Sequence, residues 1–242
     1  MKTARFQFDE DLRALLQRPH EHGGLGYAFN GPQSVKHLVE AAGVPHTEIG
    51  SVRANSEGVS TGYLVQDRDS IEVLGNSVGE ATDEEPRFVL DGHLGRLNSH
   101  LRMLGLDCAY KNDFQDDEIL STGIGEQRIV LTRDRRLLMH RSLSLGYLVR
   151  SLDPDEQLAE VVRRYALRCL IRPFQRCIRC NHILEPVSKE QVLDRLEPLT
   201  KMYFDEFHIC PACGQIYWKG SHYERMLAAI RAIGHLGTEN RG

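Results

Sequence analysis

The chain has 242 residues, 41% of them hydrophobic and 26% charged, with a formal net charge of −4. These totals suit one large or two small soluble globular domains, and they exclude a uniformly basic nucleic-acid coat while leaving room for a local basic face. No apolar run reaches the length of a membrane span, and Met1–Phe6 lacks the core of a signal peptide, so a cytoplasmic protein without membrane association is expected.

Residues 1–74 read as a small α+β unit. Ala4–Phe8 alternates like a strand. Ser34 is placed to cap a helix with Val35, Leu38, Val39 and Ala42 on one face, and Gly43 and Pro45 are placed to end it. Ser51–Asn55 and Ile71–Leu74 are further short strands, with Gln66–Asp69 as a turn between them. Residues 75–86 lack apolar periodicity and carry four acids, which predicts a linker.

From 87 to 168 strand and helix patterns alternate, which implies a mostly parallel sheet. Phe88–Leu90, Cys108–Tyr110, Ile129–Leu131 and Tyr147–Val149 read as strands. Leu94, Leu97, Leu101 and Leu104 recur at helical spacing ahead of Gly105. Asp116 suits an N-cap for a helix through Leu120, Arg135–His140 reads as a short helix, and Pro154 opens a helix carrying Leu158, Val161, Val162 and Tyr165. Residues 169–234 hold two cysteine pairs and a closing helical pattern over Tyr223–Ile233.

Three acidic positions stand out on the strand–helix scaffold. Asp91 follows Phe88–Leu90, Asp134 follows Ile129–Arg133, and Asp116 with Asp117 opens a helical pattern. Strand ends and helix starts on one edge of an α/β sheet converge, so such carboxylates can share a cleft. Clustered carboxylates repel unless a cation or proton intervenes, and Mg²⁺ or Mn²⁺ for phosphodiester chemistry is the reading this favours. Taken singly, an Asp after a strand is also a common turn or cap residue. Asp116 is preferred to Asp117 because it occupies the expected N-cap.

Cys177-Ile178-Arg179-Cys180 and Cys210-Pro211-Ala212-Cys213-Gly214 are knuckle sequences. In each, the i, i+3 spacing lets both thiolates face one ion, and together the pairs complete a tetrahedral Zn²⁺ site. A closed four-cysteine site has no open position, so the zinc is expected to be structural. Cys108 and Cys169 are expected to be buried and inert. From Arg128 to Arg176 there are eleven Arg and no Lys against five acids. Arg133, Arg135 and Arg136 flank Asp134 and suit an RNA backbone, although part of this set also fits a solvated, salt-bridged surface. Gly220-Ser221-His222 ahead of a helix could hold a phosphate; equally, Ser221 could simply cap the helix.

Two resemblances organise these observations. Ser34–Leu38, Gly43–Glu48 and Leu64–Asp69 resemble the ubiquitin-like β-grasp domain at the head of Mut7-C-type proteins. The head continues into more chain at Leu74-Gly75-Asn76, where sulfur carriers have a free Gly-Gly tail, so an interaction or substrate-positioning module is favoured over sulfur transfer. Phe88–Leu97, Leu101–Gly105, Asp116–Leu120, Leu131–Asp134 and Tyr217–Met226 resemble the Mut7-C RNase domain, a branch of the PIN-like nucleases carrying a zinc ribbon.

The resemblance implies a β-grasp head over 1–74, a PIN-like α/β core over 87–168, and a zinc ribbon with closing helix over 169–234. It implies metal-dependent RNA cleavage with Asp91, Asp116 and Asp134 as the Mg²⁺- or Mn²⁺-binding acids and Asp117 beside them. Asp153 and Asp205 are the candidates for a fourth acid. Arg96, Arg133, Arg135, Arg136, Ser221 and His222 are the expected RNA contacts. The class suggests structured small RNA such as tRNA as substrate, with a protein partner at the head. The rival expectation is a non-catalytic RNA-binding or adaptor protein that keeps the fold and the zinc.

Overall fold

A computed structural model describes residues 1–17, 24–76, 85–220 and 223. The head begins with β1 (Lys2–Phe8), whose alternation buries Ala4, Phe6 and Phe8. The Asp9 side chain caps the short α1 (Glu10–Arg13) by accepting from Leu12 N. β2 (Gly24–Phe29) pairs antiparallel with β1, from Lys2 opposite Phe29 to Gln7 opposite Gly24. Helix α2 (Val35–Ala41) starts where predicted, with Ser34 Oγ accepting from His37 N at 3.2 Å. It stops where Gly43 adopts φ +101°, a conformation that favours glycine.

β3 (Ile49–Ala54), β4 (Glu57–Val59) and β5 (Ser70–Gly75) complete a mixed five-stranded sheet in the order β2-β1-β5-β3-β4, with β1 and β5 parallel. The predicted turn at 66–69 is organised by Asp69. Its buried carboxylate accepts from Asn55 Nδ2, Tyr63 Oη and Gln66 N. β2 and β4 were not expected from sequence. Both lie at sheet edges, β2 carries Gly24 and Gly26, and β4 is three residues long, so neither shows a clean alternation.

The strand–helix alternation is as expected. β6 (Phe88–Leu90) is wholly buried, and α3 (Gly95–Met103) follows a 3-10 turn over Gly92–Leu94. Leu94, Leu97, Leu101 and Leu104 form a buried stripe, and Gly105 ends the helix at φ +94°. Then come β7 (Cys108–Ala109), α4 (Asp116–Gly125), β8 (Ile129–Thr132), α5 (Arg135–Leu138), β9 (Gly146–Leu148) and α6 (Pro154–Arg164). β6 pairs with β7 and β8 with β9, both in parallel. Asp153 caps α6 with Pro154 in the first turn, and Leu158, Val161 and Val162 are buried, with α6 packing against α3.

The ribbon holds β10 (Glu185–Val187), α7 (Lys189–Val192), α8 (Pro198–Tyr203), β11 (Phe207–Ile209) and β12 (Ile216–Trp218). The three strands form an antiparallel sheet in that order. Val192, Leu196, Phe207 and Ile216 make its small core, covered in part by Phe204 and Trp218. The predicted helical stretch near Lys189–Leu196 is α7 continued by a 3-10 turn over Leu193–Arg195. Cys108 is buried as expected, but Cys169 is exposed: it sits in a 3-10 turn, Leu167–Leu170, where only Leu167 points inward. Most of the predicted linker and all of the predicted closing helix beyond Tyr223 lie outside the described residues.

The chain divides into two compact units: Met1–Val78 with Gln115–Leu148, and Gly79–Phe114 with Val149–Gly242. In the first, buried and partly buried polar contacts bolt the head to the 115–148 segment. Glu48, only 2% exposed, accepts from Leu148 N through Oε1 at 2.6 Å. The His46 ring bridges Glu40 Oε1 and Leu143 O, at 2.7 Å each. Arg135 Nη1 donates to Leu15 O at 2.6 Å and to Gly43 O at 3.3 Å.

Candidate metal centre and acidic positions

The two cysteine pairs fold into matching knuckles. In the first, Asn181 N donates to Cys177 O and Cys177 N to His182 O. In the second, Gly214 N donates to Cys210 O and Cys210 N to Gln215 O, repeating the pattern step for step. The residue after the second cysteine is left-handed in both, φ +67° at Asn181 and φ +69° at Gly214. Glycine takes that conformation freely, and asparagine is the commonest alternative.

The four thiols meet. Cys177 Sγ lies 3.5 Å from Cys213 Sγ, Cys180 Sγ lies 3.4 Å from Cys210 Sγ, and all four are within 4.8 Å of one another. Four sulfurs about 2.3 Å from one Zn²⁺ would be about 3.8 Å apart, so this set fits a tetrahedral ion after small adjustments of its sulfur positions. Burial raises the Cys177 thiol, but hydrogen bonds from the Tyr217 hydroxyl and the Cys180 backbone outweigh it and bring it down to about 7. Burial together with the neighbouring thiols pushes Cys180 up to about 12. Such a crowd of thiols holds protons that a zinc ion displaces on binding. Among the described residues this is the one group of three or more potential ligands drawn so close.

The acids occupy the expected strand ends and helix starts. Asp91 directly follows the buried β6, its side chain is 18% exposed, and its Oδ1 accepts from His93 N at 3.4 Å to cap the 3-10 turn. Asp134 follows β8 and is exposed. Its Oδ1 accepts from Arg136 N at 2.7 Å, capping α5, and its own N–H donates to the buried Thr132 Oγ1 at 2.9 Å. Asp116 is exposed at the first position of α4 and is not the N-cap. Gln115 takes that place because Glu118 Oε2 reaches back to Gln115 N at 3.1 Å. Asp117 is also exposed in that first turn, where the helix dipole favours negative charge.

Of the candidate fourth acids, Asp153 caps α6 through bonds from Asp155 N and Glu156 N. Asp205 lies in the ribbon, 87% exposed and paired with Lys189 Nζ at 2.7 Å.

The arginines divide by role. Arg133 and Arg136 are exposed, and no hydrogen bond or ion pair holds their guanidinium groups among the described residues. Arg135 instead spends its guanidinium on head carbonyls. Arg128, Arg172 and Arg176 pair with Glu126, Glu85 and Asp107. Arg96 is exposed on α3 and lines a cleft of about 510 Å³ with Ser99, His100, Asp153 and Asp155. Ser221 and His222 lie outside the described residues.

Two family models match the chain: the Mut7-C ubiquitin domain over residues 1–77 and the Mut7-C RNAse domain over residues 86–230. The chain belongs to the Mut7-C RNAse domain family. Searches of curated proteins and of solved structures each find no match. Asp91, Asp116, Asp134 and all four knuckle cysteines fall within the matched RNAse domain, and the mixed sheet of the head coincides with the matched ubiquitin domain. Among the described residues, no helix is long and apolar enough to cross a membrane.

Sequence reasoning did not single out the residues that support the Mut7-C RNAse domain's knuckles: Arg102, Asn181 and Tyr217. Asn181 carried a signal, since it occupies after Cys180 the place that Gly214 occupies after Cys213.

Proposed function

We propose that this protein is a metal-dependent ribonuclease with a PIN-like core, in which Asp91, Asp116 and Asp134 ligate Mg²⁺ or Mn²⁺ and the ribbon zinc is structural. The observation that carries the reading is the RNAse-domain match over 86–230, with Asp91 and Asp134 each following a buried parallel strand. Carboxylate oxygens are the donors such ions prefer, and a rigid strand end holds them with little lost entropy. When bound, the ion relieves charge on the phosphoryl oxygens and eases deprotonation of a water. The chain's own part is positioning. Arg133, Arg136 and Arg96 present exposed guanidinium groups for the phosphate backbone, while Arg135 serves the fold. RNA is the partner this implies, and structured small RNA such as tRNA is the substrate we favour.

The test is Asp91→Asn combined with Asp134→Asn, assayed for RNA cleavage in Mn²⁺ with zinc content held constant. Cleavage should be lost; unchanged cleavage would remove the assignment. A non-catalytic RNA-binding adaptor is the second reading, favoured by the capping roles that Asp91 and Asp134 already fill. Calorimetric titration of the zinc-loaded chain with Mn²⁺ separates the two, because an adaptor would show no second metal site.

A further inference from the structure

Among the described residues, strand β7 is paired with β6 alone and lies at the edge of its sheet. Phe88 N donates to Asp107 O at 2.8 Å, so the Asp107 carbonyl faces β6. The next residue along a strand points its backbone groups the opposite way, which turns the N–H and C=O of Cys108 away from β6. Cys108 is fully buried, so water cannot serve those groups, and each needs a partner.

Both partners are side chains tied to the first zinc knuckle. Cys108 N donates to Asn181 Oδ1 at 3.2 Å. Cys108 O accepts from Arg102 Nε at 3.0 Å and from Arg102 Nη2 at 2.7 Å. The same guanidinium, on a residue 4% exposed, donates through Nη1 to Ile178 O at 3.0 Å and Arg179 O at 2.9 Å. Those carbonyls belong to the two residues between Cys177 and Cys180. Asn181 makes one more bond, from Nδ2 to Asp107 Oδ1 at 2.8 Å, and Asp107 Oδ2 pairs with Arg176 Nη2 at 3.3 Å.

This explains why the knuckles differ at the left-handed position. The second uses Gly214 at its left-handed position, where a Cβ would meet nothing nearer than 3.8 Å. The first uses Asn181 at almost the same φ, and its amide carries two bonds to the start of β7. A residue needed only for the turn would not require that amide.

We infer that the first zinc knuckle, through Asn181 and Arg102, takes the place of a neighbouring strand on the open side of β7, so that metal binding in the ribbon secures the α/β part of the same unit. Arg102 and Asn181 are positioning residues acting through the metal site, and the inference rests on the four cysteines holding zinc. Arg102 also sets a positive charge beside a tetrathiolate site of formal charge about −2. The consequence extends past β7, where the Tyr110 hydroxyl lies 2.8 Å from Gly92 O, the residue after Asp91.

The experiment is amide exchange at Cys108 in the full chain, with zinc bound and after chelation, alongside a measurement of zinc per chain. In the wild type, chelation should speed Cys108 exchange at least about tenfold. Asn181→Gly preserves the left-handed turn, so it should retain zinc yet exchange at Cys108 at least about tenfold faster with the metal in place. Asp107→Ala, which leaves the knuckle sequence intact, should act in the same direction. Equal Cys108 exchange with and without zinc would overturn the inference, as would wild-type exchange in zinc-loaded Asn181→Gly. A wild-type chain that binds no zinc would overturn it as well, and the metal count distinguishes that failure from a failure of coupling. None of these readouts depends on RNA cleavage.

Discussion

Replacing Glu48 tests whether the head is an integral part of its unit. Glu48 is 2% exposed, and its Oε1 lies 2.6 Å from the N–H of Leu148, itself 5% exposed. A hydrogen bond from a backbone N–H to a buried carboxylate contributes about 1.5–3 kcal/mol, and its loss leaves the N–H buried without an acceptor. Glu48→Ala also removes one methylene and a carboxyl from a closed site, so we expect a total loss of about 3 kcal/mol. Glu48→Gln keeps an oxygen at the same reach but without charge, and we expect it to cost about 1 kcal/mol. Urea unfolding followed by far-ultraviolet circular dichroism measures both, and amide exchange at Leu148 localises the effect. The reasoning fails if Glu48→Ala costs less than about 0.5 kcal/mol, or if Glu48→Gln is as damaging as Glu48→Ala.

Two further perturbations probe the second unit and a proposed ligand. At Gly105 a Cβ would lie 2.2 Å from Arg172 O, and the backbone sits at φ +94°, so Gly105→Ala should destabilise by about 2–4 kcal/mol. The fluorescence of Trp218, the sole tryptophan, reports that loss during urea unfolding of the same unit. At Asp134 the capping and ligand roles can be separated. Asparagine caps as well as aspartate, so Asp134→Asn should unfold within about 0.5 kcal/mol of wild type, whereas Asp134→Ala should lose about 1 kcal/mol. Calorimetry should find Mn²⁺ binding weakened in both, and full Mn²⁺ affinity in Asp134→Asn would leave Asp134 as a cap alone.

What could be read from the sequence depended on whether the signal was local. Helix α2 was legible because its cap and its stop, Ser34 and Gly43, are adjacent to the apolar face they bound. The knuckles were legible because two thiol pairs at i, i+3 spacing match the ligand pattern of one tetrahedral metal site. The α4 start was misread by one residue. Aspartate is the better cap by type, but the reciprocal reach of Glu118 to Gln115 N decides the position. With Gln115 as the N-cap, the preference for Asp116 over Asp117 rests on the family resemblance alone, and the carboxylate of Asp116 is uncommitted to its own helix.

The support around the four-cysteine cluster was not legible, because Arg102 sits in a helix whose visible pattern is its leucine stripe, 76 residues before the carbonyl of Ile178 that it holds. Arg135 shows the same limit from the other side. Its place beside Asp134 suggested an RNA contact, yet its guanidinium reaches Leu15 O, 120 residues earlier in the chain. An arginine next to a candidate site therefore says little until the destination of its five donors is known. On that criterion Arg133 and Arg136, whose donors are uncommitted among the described residues, are the better place to look for a phosphate.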